Sequence, residues 1–201
     1  LTDTTTASYD SWNRSESHSI NNSLTFGRRF TEDGRSISLS LQHSIRRGND
    51  KGTNNSLTEY TNDTTSIDLD QRSRAHDKND SYGINFSYIE PIGKDNRLRL
   101  SYSINNNRAN RDRNTWKPNL DGDYVILDSA YTRTTDNKNL NQSVSLEFQR
   151  TRDKYDLTLG FSVDPSSSKS TIWMLESLVD EVKQNVVNYS PDLRFSYRPT
   201  D

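Results

Sequence analysis

Cysteine is absent from this 201-residue chain. That excludes disulfides and thiol chemistry, and it gives no redox address. No run of 18 apolar residues exists, so no transmembrane helix is expected. Leu1-Thr2-Asp3-Thr4 has neither a basic n-region nor an oily h-region, so no secretory leader is expected there. Charge of one sign is also lacking. The formal net charge is −2, and the basic residues are scattered, which argues against a nucleic-acid partner. Apolar residues make up only 29%, against roughly 45–50% in soluble domains when Gly is counted. A conventional two-sided core would be hard to fill.

What is present is alternation. Leu140, Val144, Leu146 and Phe148 occupy even positions, with Ser, Asn, Glu and Gln between them. After the polar turn Thr151-Arg152-Asp153-Lys154, the residues Tyr155, Leu157, Leu159, Phe161 and Val163 occupy odd ones. Period two places each set on one face of a hairpin. The arms are about ten residues long, the length a membrane-spanning strand needs. A barrel with an oily outside and a wet inside has this composition. Disorder is the bland alternative for so polar a chain, and the sustained alternation argues against it.

The same pattern predicts further strands at His18–Phe30, Arg35–Arg47, Ser81–Ile89, Arg97–Asn107 and Asn185–Arg198. A short strand is expected over Tyr124–Leu127, above the main sheet. The fold class is all-β: an antiparallel up-and-down meander of about seven long strands. Short turns are expected at 31–34, 90–96 and 151–154, and long polar outer loops at 48–80, 108–138 and 164–184. Met174, Leu175, Leu178, Val179 and Val182 also fit a short helix in the last loop. Connections that alternate short and long are the habit of bacterial outer-membrane barrels, whose short turns are periplasmic. Such barrels have an even number of strands, from 8 upward. The whole chain, 1–201, therefore reads as a consecutive slice of a larger transmembrane barrel, with no plug domain in it.

The expected lipid-facing residues are Ile20, Leu24, Phe26, Leu39, Leu41, Ile84, Phe86, Leu100, Tyr102, Val144, Leu146, Phe148, Leu157, Leu159, Phe161, Leu193 and Phe195. Asn22, Arg28, His43 and Gln142 fall on that oily face as well, and Arg28 is near enough to a turn to reach head groups. Tyr82, Tyr88, Tyr155, Tyr189 and Tyr197 lie where interfacial belts would put them, although Tyr also simply favours strands. Trp12, Trp116, Tyr131 and Trp173 fall in the expected outer loops. There an aromatic face suits a sugar ligand, and loop-internal packing is the plainer reading. Asp63, Asp68, Asp70, Asp121 and Asp123 offer oxygen to Ca²⁺ without completing a calcium loop, so solvated acids read better. His18, His43 and His76 are far apart in the pattern. No nucleophile motif, phosphate loop or zinc spacing appears, so neither an enzyme nor a cofactor is expected.

The segment Gln184-Asn185-Val186-Val187-Asn188-Tyr189-Ser190-Pro191-Asp192-Leu193-Arg194-Phe195-Ser196-Tyr197 resembles part of the barrel of Bacteroidetes-type TonB-dependent outer-membrane receptors. The hairpins before it are similar to the middle of that barrel. The resemblance implies about 22 strands around an N-terminal plug, in the outer membrane of a Gram-negative bacterium. It implies energy from the TonB complex and uptake of large or scarce nutrients such as metal chelates or glycans. The implied partners are outer-membrane lipid, the rest of the barrel and its plug, and the TonB complex, with a surface lipoprotein left open. It assigns no transport residue to this chain. The residues also leave open a passive barrel or adhesin, and a soluble cell-surface β-sandwich.

Overall fold

The computed structural model describes residues 5–60, 67–175 and 177–199. The strands are β1 (Thr5–Arg29), β2 (Ser36–Tyr60), β3 (Ile67–Ile92), β4 (Asn96–Pro118), β5 (Tyr124–Leu127), β6 (Arg133–Thr151), β7 (Tyr155–Met174) and β8 (Ser177–Tyr197). They form one antiparallel sheet in the order β1-β2-β3-β4-β6-β7-β8, with β5 paired to the far end of β4. Sharp reversals lie between β1 and β2, β3 and β4, and β6 and β7 at one end of the sheet, and between β7 and β8 at the other. Gly34 (φ 100°) and Gly93 (φ 69°) supply the left-handed backbone that the first two turns need. At the third, Arg152 and Tyr155 exchange backbone hydrogen bonds of 2.8 and 3.3 Å.

The register puts apolar residues opposite apolar residues across the whole sheet. Phe26, Leu39, Phe86, Tyr102, Val144, Val163 and Tyr189 form one cross-strand row. Two residues toward the turns, Ile37, Tyr88, Leu100, Leu146 and Phe161 form another. Phe148, Leu159 and Leu193 follow, then Leu157 opposite Phe195. Directly opposed residues share a face, so all of these point the same way. The face is uncovered: Phe26 is 56% and Phe161 is 49% exposed. Two polar pairs lie on it, and His43 Nε2 is buried without a hydrogen-bond partner among the described residues. The Tyr102 hydroxyl donates to Gln142 Oε1 at 3.0 Å, and His43 stacks on Tyr82 with centroids 4.5 Å apart.

This apolar band is not level with the rows. Ile20 and Ile45, at its upper end on β1 and β2, share a row with Lys169 and Lys183. Tyr155 and Tyr197, at its lower end, pair in a row beyond the ends of β1 and β2. A level slab crossed by tilted strands produces this slant, and barrel strands tilt by about 35–45°.

No second layer lies against the sheet among the described residues. Ala75, 4% exposed, is the only hydrophobic residue buried among them. The chain's solvent-accessible surface is 14661 Å², where a compact monomer of this mass would show about 9,700 Å². A β-sandwich packs two sheets over an internal core, so that alternative is excluded.

Two expectations are corrected. The stretches 48–80, 108–138 and 164–184 are mostly strand rather than loop. Both faces are wet there, so alternation disappears from the sequence. The backbone nevertheless keeps its ladder, and side chains bridge it. Thr134 Oγ1 donates to Asp112 at 2.8 Å, and Ser168 Oγ donates to Asn139 at 2.8 Å. Strands of 25 residues reach roughly 80 Å, far more than a membrane needs. The helix over 174–182 is also absent. β7 ends at Met174, Leu175 takes a left-handed φ of 47°, and β8 begins at Ser177. Pro191 lies opposite Phe161 on β8, which pairs with β7 alone among the described strands. An edge tolerates the missing N–H.

Leu159 stands mid-band on β7. Leu159→Arg is expected to cost about 2–4 kcal/mol in a lipid refolding titration, while Ser162→Arg on the opposite face costs much less. Equal costs would mean that the band does not meet lipid.

Candidate functional site

The other face of the sheet is polar. Its side chains come from odd positions of β1, β3, β4 and β6 and from even positions of β2, β7 and β8, as the alternation requires. Beyond the apolar band, two rows on this inner face build a groove of about 510 Å³. One row runs Ser15, Asp50, Ala75, Arg113, Arg133. The next runs Ser17, Gly48, Asp77, Arg111, Thr135. Arg46 also lines the groove.

Arg111 ties the groove together. Its guanidinium donates to Asp50 Oδ2 at 2.9 Å and to Asp77 Oδ2 at 3.2 Å. Ser15 Oγ donates to Asp50 Oδ1 at 2.6 Å. The two acids respond in opposite ways. The Ser15 hydroxyl leads in holding Asp50 below the usual carboxylate range; partial burial works against it, and the Arg111 charge adds to it. Burial leads in raising Asp77, against the pull of Arg111 and with the adjacent Asp50 reinforcing the rise. Only Asp50 has the extra hydroxyl donor. Arg46, Arg113 and Arg133 make no ion pair among the described residues, so the groove offers unspent cationic donors to an anionic or polyhydroxy ligand.

Nearer the far end, residues 128–132 leave the sheet between β5 and β6 and fold over the inner face. Asp128 anchors them. Its Oδ2 accepts from Gln71 Nε2 at 2.6 Å and meets Lys117 Nζ at 3.0 Å. Burial disfavours its charge, but Lys117, Gln71 and the Ala130 N–H together keep it below the usual range. Thr115, fully buried, donates its N–H to Thr132 Oγ1 and its hydroxyl to the Tyr131 carbonyl, both at 3.1 Å. The excursion is therefore fixed against Gln71, Thr115 and Lys117.

The expected ligand aromatics do not converge on that groove. Trp116 is a β4 residue opposite Arg72 and Leu127, and Trp173 is a β7 residue opposite Thr134. Their positions put both on the outward face, so the reading of them as loop aromatics is corrected. Tyr131 belongs to the 128–132 excursion and is exposed. Trp12 and Trp116 line an outward groove of about 580 Å³ with Tyr124. The Tyr124 hydroxyl donates to Asp70 Oδ1 at 2.6 Å, and Arg72 lies 3.9 Å from the centre of its ring. Asp70 is thus spent on a hydrogen bond. Asp121 and Asp123 donate their N–H groups to the Asn119 side chain in a turn closed by Gly122. Asp63 lies outside the described residues. The three histidines sit on separate rows, His76 bonding to Asn49, and no cluster of three potential metal ligands occurs among the described residues. The sequence did carry the inner-face charges, but only as isolated Arg and Asp. Their meeting depends on register across strands 27 and 34 positions apart, as for Asp50 with Asp77 and Asp77 with Arg111.

Residues 28–201 match the model of a family described as an outer membrane protein beta-barrel family. No curated protein matches the chain.

The Asp50–Arg111–Asp77 bridge makes a pH-dependent prediction. A depressed carboxylate stabilises the fold above its unfolded pKa and loses that effect as pH falls through its folded one. A raised one opposes folding at neutral pH, and that opposition fades as pH falls through the folded value. Asp50→Asn should therefore lower stability at neutral pH, and its effect should fade as pH falls below the ordinary carboxylate range. Asp77→Asn should be nearly neutral or stabilising at neutral pH. Refolding into vesicles across this pH range checks both, and equal losses at neutral pH would contradict the assignment.

Proposed function

The chain belongs to the outer membrane protein beta-barrel family, and from that premise we propose that it forms part of the wall of an uptake receptor in the outer membrane of a Gram-negative bacterium. The apolar band, from Ile20 and Leu24 to Leu193 and Phe195, faces hydrocarbon. The short turns are periplasmic, as is usual for such barrels. The far halves of the strands stand outside the cell and enclose a polar vestibule.

The observation that carries this reading is the length of the strands. Only about 9–11 residues cross a bilayer, so more than half of β1 and β2 is built for something other than the membrane. A ladder held by salt bridges, with an Arg-lined inner groove, suits the capture of a ligand too large or too scarce for passive entry. The finer reading is uptake driven by TonB, of the Bacteroidetes type that strand β8 resembles. It requires the rest of a barrel, a plug and the TonB complex as partners. The reading is of a receptor wall, not an enzyme. A passive barrel or an adhesin is the second reading, favoured by the outward aromatic groove of Trp12, Trp116 and Tyr124.

Planar-bilayer recording of the protein purified from outer membranes separates the two. A plugged receptor is expected to show no steady conductance and to retain the soluble domain of TonB on a column. A constant open-pore conductance with no TonB retention would overturn the uptake reading.

A further inference from the structure

Just beyond the apolar band, on the same outward face, the register assembles a belt of cations. Arg108, Lys138, Lys169 and Lys183 are direct cross-strand neighbours on β4, β6, β7 and β8. Arg47 and Lys78 continue the belt one step further out on β2 and β3. Like charges set directly opposite one another destabilise a sheet, so the fold gains nothing from four in a row. The carboxylates nearby only partly offset them. Asp136 lies 3.2 Å from Arg108 and 3.5 Å from Lys138, Glu181 lies 3.0 Å from Lys169, and Asp80 lies 2.8 Å from Arg47. Lys183 and Lys78 have no ion-pair partner among the described residues. Arg108 and Lys138 remain half exposed despite sharing Asp136.

The position of the belt says what covers it. It follows directly on the upper end of the band: Lys138 is two residues from Leu140, and Lys183 is four from Val187. Resting on the reading of that band as lipid-facing, the belt then sits at the head-group level of the outer leaflet. We infer that it binds the phosphate groups of an anionic glycolipid of that leaflet. Ammonium groups on flexible stems suit phosphates whose positions vary from lipid to lipid, because they act as point charges without fixed geometry. Excess cation across four adjacent strands offers several such contacts side by side, and the acids keep the row tolerable when no lipid is bound. The occupant is a lipid head group rather than a free ion because the belt is continuous with the band that holds the acyl chains.

The test uses the purified membrane protein in nanodiscs. One set contains phosphatidylcholine with a minor fraction of diphosphorylated lipid A, and the other the same lipid A after enzymatic removal of its phosphates. Native mass spectrometry reads the lipid retained. Retention of the phosphorylated form is expected, weakened by salt, with about a fivefold loss for each charge removed by R108Q, K138Q, K169Q and K183Q. The inward-facing R97Q should change nothing. Equal retention of both lipids by the wild type would overturn the proposal and leave an acidic protein partner as the occupant. That comparison needs no variant, so it decides even if the combined substitution fails to insert. Failure of the wild type to enter nanodiscs at all would instead refute the membrane reading on which the belt depends.

Discussion

Everything in this structure depends on the register of one hydrogen-bonded sheet. A slip of one residue in any pairing would turn that strand's apolar set onto the wet face. The pairings run without interruption over most of each strand. Register shifts occur only where β4 meets β5 and where β7 approaches its end against β8. Both lie beyond the apolar band. Within the band, seven strands keep Phe26, Leu39, Phe86, Tyr102, Val144, Val163 and Tyr189 in one row. Backbone groups in hydrocarbon must be satisfied by neighbouring strands; between β6 and β7 the pairing lapses at Gln142 and Ser143 against Asp164 and Pro165, at the band's upper edge, where Pro165 has no N–H to donate.

Above the band the constraint changes. Water is available on both faces, and the ladder no longer has to be complete. Cross-strand ion pairs and hydroxyl–carboxylate bonds hold the strands in line, as at Ser15, Asp50 and Arg111. Exposed pairs are individually worth about 0–1 kcal/mol. Their effect is to fix alignment and to aim charged groups, more than to add stability. Inward, this gives the groove around Arg111. Outward, it gives the cation belt and the Trp12–Trp116 groove. The same alternation therefore gives an apolar outward band, a charged inner groove and a cationic row on the outward face.

The ordered excursion at 128–132 illustrates how such a wall acquires detail. Asp128, Gln71, Thr115 and Thr132 are all buried polar residues, and each has a partner. Buried polar groups are costly when unpaired, so the segment has few other ways to pack. The short connection between β5 and β6 thus becomes a fixed feature on the inner face.

The sequence by itself determined the all-β class, the turns at Gly34, Gly93 and 152–154, and the membership of the apolar face. It did so because one face meets an apolar phase and the other water, which writes a period of two into the residues from Leu140 to Val163. Tertiary structure alone decided that the polar stretches are strand. Asn, Asp and Ser disfavour strands locally, and only pairing with neighbours already in place holds them extended. It also decided which charges meet. Asp50, Asp77 and Arg111 are far apart in the chain, and so are Arg108, Lys138, Lys169 and Lys183. Composition carries no record of register, which is a property of strands side by side.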